Sequence, residues 1–154
     1  MLLGAGGAGS AIAYEALRLG VGALRIVDTD AARGLALAER MNSFHARGRA
    51  VAFGDLDTAL DGATGLIHAT PTGMQKLPGQ PVPAELLRPG LWVSEVVYVP
   101  LETELLKAAR RAGCATLDGG CMNVGQACRG FRLFTGRDAD ADRMEASFRG
   151  LVAG

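Results

Sequence analysis

The sequence is poor in the side chains that bind metals or form disulfide frameworks. Its 154 residues contain two histidines, His45 and His68, and three cysteines, Cys114, Cys121 and Cys128. The number of cysteines is odd and they lack the close pairs of a zinc site, so the pattern argues against a disulfide framework and predicts no metal. No signal peptide is recognised, and we expect reduced thiols in a cytoplasmic protein.

Long apolar runs and an excess of one charge are also missing. Sixteen basic residues balance sixteen acidic ones along the chain, which argues against nucleic acid or an anionic membrane as a partner. No apolar run has the length of a membrane span. With 49% hydrophobic residues, the chain has the character of a single domain whose partner we expect to be a small molecule.

Short apolar runs alternate with longer helical patterns along the sequence. This rhythm is typical of βαβ units and predicts an α/β Rossmann fold, with a doubly wound, mostly parallel six-stranded sheet and helices on both faces. The predicted strands cover residues 1–3, 23–28, 50–53, 65–69, 91–97 and 115–117. The first is shorter than a usual strand, so we expect the chain to begin within an element.

The stretches between these strands predict the helices. Apolar residues recur at helical spacing in 8–19 and 31–46, and 102–112 is rich in helix-forming residues. A single turn is predicted at 57–60. Two closing helices are predicted over 122–134 and 138–151, separated by Gly136. The proline-rich stretch 71–83 is predicted to be a loop at the carboxyl edge of the sheet, where α/β proteins bind ligands.

A glycine-rich loop lies between the first predicted strand and the first predicted helix. It matches the G-x-G-x-x-G pattern, whose glycines permit a tight turn, a close approach to a pyrophosphate and close packing of the helix on the sheet. The amides at the helix start face the anion. We predict that the whole loop binds the cofactor, through Gly4, Ala5, Gly6, Gly7, Ala8 and Gly9.

An acidic residue, Asp28, ends the second predicted strand. A carboxylate at this place accepts hydrogen bonds from an adenosine ribose and repels a 2′-phosphate, so we predict NAD in preference to NADP. Arg33 is a second candidate, which could hold a 2′-phosphate, stack on adenine or be solvated. Asp30 is interpreted as the N-cap of the following helix.

Four segments, in this order, resemble the C-terminal domain of the shikimate dehydrogenase family. They are the glycine loop, ATPTGM at 69–74, VVYVPLETELL at 96–106, and DGGCM at 118–122 followed by Gln126. The resemblance covers nearly the whole chain. It implies a two-domain enzyme that oxidises a ring hydroxyl of shikimate or quinate, a cyclic hydroxy acid, by hydride transfer to the nicotinamide.

The same resemblance implies roles for individual residues. Those expected to contact the dinucleotide are Thr70, Val96, Gly119 and Met122. Tyr98 and Gln126 would face the hydroxylated acid, for which a phenol and an amide supply both donors and acceptors.

Several positions depart from the family pattern. Asp28-Thr29-Asp30 stands where many members carry an Asn-Arg-Thr clamp for NADP, and is similar to the NAD-using quinate/shikimate branch, as is the segment 130–136. His68 stands where the family often has Asn, and Glu95 where it often has Asp. Both differences bear on substrate preference, and we interpret His68 as a hydrogen-bonded structural residue in preference to a proton-transfer group.

The family's acid/base dyad is a lysine and an aspartate on an N-terminal domain, which we expect to be absent from this chain. Lys76 and Lys107 are its only lysines, and neither matches that motif. We therefore predict no catalytic residue here and expect no activity without the partner domain. Two alternatives stay open: a non-catalytic sensor that binds NAD or a quinate-like ligand, and a dehydrogenase of another cyclic hydroxy acid such as aminoshikimate.

Overall fold

The computed structural model describes residues 1–45 and 49–152. Six strands form one sheet in the order β3-β2-β1-β4-β5-β6, and every neighbouring pair is parallel. The strands are β1 (Leu2–Leu3), β2 (Leu24–Val27), β3 (Ala50–Ala52), β4 (Gly65–His68), β5 (Trp92–Glu95) and β6 (Ala115–Leu117). The six predicted strands are confirmed to within one or two residues at each end.

Helices connect the strands and close the domain. They are α1 (Gly7–Arg18), α2 (Ala31–Phe44), α3 (Leu56–Leu60), α4 (Glu104–Arg111), α5 (Gly119–Thr135) and α6 (Ala141–Val152), with a short 3-10 helix at Ala84–Leu86 that was not predicted. The end of the predicted helix 31–46, at Ala46, lies outside the described residues. None of the helices in the described ranges combines the length and apolar character needed to cross a membrane.

Side-chain caps shift three helix starts from their predicted places. Asp118 accepts a hydrogen bond from the Gly120 amide at 2.9 Å, so α5 begins at Gly119 and not at 122. Asp140 caps α6 through the Arg143 amide, and Thr103 caps α4 through the Leu106 amide. The helices α4 and α6 start later than predicted, because a capping residue is not itself helical, whereas α5 starts earlier.

The core lies on both faces of the sheet. Successive residues of β1 fall in different apolar clusters: Leu2 packs with Leu17 of α1, while Leu3 belongs to the cluster that holds Leu105 of α4. This alternation follows from the two-residue period of a strand. Helices therefore cover both faces, which confirms the predicted doubly wound Rossmann architecture.

The strand order positions the site. The chain runs outward from β1 to β2 and β3, then crosses over to β4 on the other side of β1. Parallel sheets bind ligands at such a switch point, outside the carboxyl ends of the strands. The glycine loop after β1, Asp28 after β2 and the proline-rich loop after β4 all emerge at this edge.

Candidate functional site

The glycine loop leaves β1 through a turn that requires glycine. Gly4 has a φ of +105°, and a Cβ there would lie 2.6 Å from the Ala69 carbonyl oxygen. Its amide donates to the Val27 carbonyl at 2.8 Å, which ties the turn to β2. The turn is therefore held on both sides by neighbouring strands.

Gly9 is closely enclosed by neighbouring backbone, whereas Gly6 borders open space. A Cβ on Gly9 would lie 2.0 Å from the Gly4 carbonyl oxygen, because α1 starts against the end of β1. Around Gly6 and Gly7, by contrast, a Cβ would meet no described atom within 4 Å. Gly6 is the N-cap of α1 and provides no side chain to its first amides. The positive end of α1 thus faces open space that can receive an anion.

Asp28 is bound to this loop. Its Oδ2 accepts a hydrogen bond from the Ala5 amide at 2.7 Å, and its Oδ1 accepts one from the Asp30 amide at 2.9 Å. The side chain is only 8% exposed. Burial is the largest influence on this carboxyl and acts to raise its pKa, but the two amides together with the charge of Arg33 outweigh it, and the pKa lies below its ordinary 3.8.

The lowered pKa of Asp28 predicts how acid acts on the loop. Its ionised form stabilises the fold fully above pH 3.8, and this contribution is lost as the pH falls through the lower pKa of the folded state. Asp28→Asn should therefore lower Tm near neutral pH, and the difference from the unmodified protein should shrink in acid. Thermal melts from pH 7 to pH 3 test this, and a constant difference in Tm would contradict it.

Arg33 lies beside two carboxylates. Its Nη1 is 4.0 Å from Asp28 Oδ1 and its Nη2 is 3.5 Å from Asp30 Oδ2, while its side chain is 56% exposed. Asp30 accepts a hydrogen bond from the Arg33 amide at 3.1 Å, which confirms it as the N-cap of α2. The guanidinium is therefore already paired with acidic groups, although it remains open to solvent.

A cavity of about 390 Å³ joins these elements. Five of the residues predicted to bind a cofactor line it: Gly4, Gly6, Asp28, Arg33 and Thr70. A carboxylate stands on one side of the cavity, a threonine on the other, and a glycine turn between them. This arrangement can accept hydrogen bonds from sugar hydroxyls and hold a phosphate at the open start of α1.

The predicted nicotinamide contacts form a separate group further along the sheet. A Cβ on Gly119 would lie 2.3 Å from the Val97 carbonyl oxygen and 2.7 Å from that of Val96. Glycine is needed there because α5 starts directly against the end of β5. Met122 follows within the first turn of α5 and is half-buried.

The predicted substrate residues occupy exposed positions near the same end of the sheet. Tyr98 is 42% exposed, and its ring meets Phe148 of α6 edge to face with centroids 6.1 Å apart. Gln126 is exposed on α5. The sequence analysis did not identify Phe148. The only signal for this residue was the spacing of apolar residues along α6.

The sequence also missed a buried contact between two residues that it had treated separately. His68 and Glu95 are aligned in register on β4 and β5, and both are buried. The His68 Nδ1 lies 2.7 Å from Glu95 Oε1. Both residues stand at the carboxyl ends of neighbouring strands, which is the signal that could have paired them.

The cysteines do not come together. Cys114 is buried, and Cys128 on α5 places its Sγ 3.5 Å from the sulfur of Met144, while Cys121 is exposed. Within residues 1–45 and 49–152, no group of three metal-binding side chains is found.

Comparison with known proteins gives consistent results. The family description "Shikimate 5'-dehydrogenase C-terminal domain" matches residues 122–147. A shikimate dehydrogenase (NADP(+)) from Streptomyces avermitilis is 56% identical, over 97% of this chain and 52% of the relative. A quinate/shikimate dehydrogenase (NAD(+)) from Corynebacterium efficiens is 46% identical, over 97% of this chain and 53% of the relative. The chain thus spans about half the length of the curated relatives it matches.

A solved structure agrees with these relatives. The quinate dehydrogenase from Corynebacterium glutamicum in complex with NAD superposes with a TM-score of 0.91 at 42% identity, covering 97% of this chain and 54% of that one. The sheet order, the glycine loop and the acidic end of β2 define a Rossmann domain of the dinucleotide-binding class. Residues 122–147 match the C-terminal domain of shikimate dehydrogenases, and nearly the whole chain is similar to about half of a shikimate dehydrogenase and of a quinate dehydrogenase.

Proposed function

We propose that this chain is the NAD-binding half of a shikimate or quinate dehydrogenase. Gly6, Asp28 and Thr70 would hold the NAD, which would supply the hydride acceptor for oxidising a ring hydroxyl to a ketone. The hydroxyl proton goes to a base on the N-terminal domain of such enzymes. The observation that carries the proposal is the Asp28 carboxylate, which lines the cavity beside the open start of α1.

Different parts of the glycine loop have different tasks in this proposal. The amide of Ala5 already donates to Asp28, so Ala5 orients the carboxylate and does not face the pyrophosphate. The free amides at the start of α1, from Gly7 and Ala8, are the donors to the pyrophosphate, and the bare Gly6 leaves the space for it.

The choice of NAD over NADP rests on local charge. Relatives named for each cofactor match the chain, so the resemblance alone does not select one. Asp28 and Asp30 outnumber Arg33, which lies within 4.0 Å of both. A 2′-phosphate would therefore meet net negative charge, whereas a free 2′-hydroxyl can donate to Asp28.

Calorimetric titration with NAD and with NADP tests this choice. We expect NAD to bind at least about tenfold more tightly, a difference of roughly 1.4 kcal/mol. Asp28→Asn should reduce that ratio, since it removes the charge and keeps an acceptor. Asp55→Asn is the matched control, because Asp55 also accepts a hydrogen bond from a backbone amide, that of Thr58, but does not line the cavity. Equal affinities for the two cofactors would refute the assignment to NAD.

The substrate side of the proposal concerns the other end of the cofactor. Val96, Gly119 and Met122 are proposed to contact the nicotinamide, and Tyr98 and Gln126 to face the cyclic hydroxy acid. Tyr98 is suited to this because Phe148 supports one edge of its ring while 42% of the residue stays exposed. The lysines do not supply a base for the reaction, since Lys107 is paired with Glu104 on the surface of α4 and Lys76 is exposed in the loop.

A further inference from the structure

A chain of buried polar groups leads from the interior of the sheet to the cofactor cavity. Glu95 on β5 contacts His68 on β4 through a 2.7 Å hydrogen bond, and the His68 Nε2 lies 2.5 Å from the hydroxyl of Thr70. Glu95 and His68 are buried, while Thr70 is half-buried and lines the cavity. We call this group the Glu95–His68–Thr70 chain.

The carboxylate end of this chain sets the direction of its hydrogen bonds. Glu95 Oε1 accepts from the amides of Val96 at 2.9 Å and Val97 at 3.0 Å, and Oε2 accepts from the Thr103 hydroxyl at 3.0 Å. Backbone amides can only donate. Oε1 is therefore an acceptor, and the Nδ1 of His68 must donate to it.

The direction continues through the imidazole to the threonine. A neutral ring that carries its proton on Nδ1 has a lone pair at Nε2. The Thr70 hydroxyl must then donate its single hydrogen inward, to Nε2. The Thr72 amide donates to the same oxygen at 3.3 Å. Toward a ligand in the cavity, the Thr70 hydroxyl oxygen can therefore only accept a hydrogen bond.

We propose that His68 and Glu95 are positioning residues that make Thr70 a pure acceptor toward the bound dinucleotide. Thr70 then selects a ligand hydroxyl or N–H at its position and disfavours an anionic oxygen, which would meet a lone pair. Asp28 on the opposite side of the cavity is an acceptor as well, so both sides of the cavity favour sugar hydroxyls. This inference rests on the proposed function, because it takes NAD as the ligand.

The direction of the hydrogen bonds can be measured without any ligand. In the protein labelled with ¹⁵N-histidine, His68 should show a protonated Nδ1 and an unprotonated Nε2 at neutral pH. His45 is the only other histidine, and His45→Gln assigns the two rings. A proton on Nε2 would overturn the inference, because the Thr70 hydroxyl would then be free to donate.

A double-mutant cycle tests the effect on binding. Thr70→Val removes the hydroxyl at nearly constant shape and should weaken NAD binding about five- to tenfold, the worth of one hydrogen bond. Thr70→Ser restores the hydroxyl and should recover most of that loss. His68→Asn keeps a donor to Glu95 but leaves nothing at the Nε2 position, so it should weaken NAD binding severalfold when Thr70 is present.

The decisive measurement is the double variant. If His68 acts through Thr70, adding His68→Asn to Thr70→Val should cause no further loss of NAD affinity. An equal loss in both backgrounds would show a merely structural role and overturn the inference, as would full NAD affinity in Thr70→Val. If His68→Asn fails to fold, the NAD affinities of Thr70→Val and Thr70→Ser and the ¹⁵N spectrum of His68 still test the inference. Failure of the unmodified protein to bind NAD would instead refute the proposed function.

Discussion

Replacing Gly9 with alanine should destabilise the domain by about 3 kcal/mol or more, because the new methyl group has no room. Its Cβ would lie 2.0 Å from the Gly4 carbonyl oxygen, a backbone atom. Gly4 is held in place by the hydrogen bond from its amide to the Val27 carbonyl at 2.8 Å, which limits how far its carbonyl can move away. Urea denaturation should show a much lower midpoint, or no folded baseline at all.

Gly6→Ala is the matched control for this experiment. The same methyl group at Gly6 would meet no described atom within 4 Å, so the loss of stability should be at most about 1 kcal/mol, the usual cost at an N-cap. It should nevertheless greatly weaken NAD binding, since the methyl would occupy the space proposed for the pyrophosphate. A Gly9→Ala protein as stable as the Gly6→Ala protein would show that α1 does not start against β1 as described.

Replacing Glu95 with alanine should cost about 3 kcal/mol or more, because it removes a buried carboxylate that accepts hydrogen bonds from several buried donors. Four donors would lose this acceptor: the His68 ring, the amides of Val96 and Val97, and the Thr103 hydroxyl. The Val96 amide keeps the His68 carbonyl as an acceptor at 3.1 Å. The other three donors are left without one, which is more costly than the hydrogen bond itself was worth. The free energy of unfolding in urea measures the loss.

A surface glutamate of the same chain provides the comparison. Glu102 pairs with Arg110 at 2.5 Å, but its side chain is 55% exposed. Glu102→Ala should therefore cost less than about 1 kcal/mol, because solvent screens the pair and replaces it when it is lost. Similar losses for the two variants would mean that Glu95 is not the buried acceptor described above.

The sequence predicted the sheet well because each strand is a short apolar run between turn signals. The places of the glycine loop after β1 and of Asp28 after β2 were predictable because their spacing reflects a local βαβ unit. Helix starts were less accurate, since Asp118 and Asp140 act through single side-chain hydrogen bonds. The spacing of His68 and Glu95 along the chain does not reveal their pairing, because it depends on the register of two strands separated by a long loop. Their shared place at the ends of two predicted strands was the only available signal.

Roles within the predicted site needed the coordinates for a similar reason. The motif treats Ala5 as one of several cofactor contacts, but its amide is directed to Asp28. The sequence identifies Thr70 through a resemblance, whereas its acceptor character comes from His68 in the neighbouring interior. In both cases a residue's chemistry is set by a partner that is distant in the chain or hidden from the surface.

The hydrogen bond between Asp28 and the Ala5 amide has a consequence for engineering cofactor preference. The carboxylate that would read the ribose also anchors the loop that would hold the pyrophosphate. A redesign for NADP that removes the Asp28 carboxylate without replacing it would therefore weaken the binding of both NAD and NADP. A workable design must place a neutral acceptor such as Asn or Ser at position 28 before it adds positive charge nearby. One residue thus links cofactor preference to the stability of the loop, and a change in the first must preserve the second.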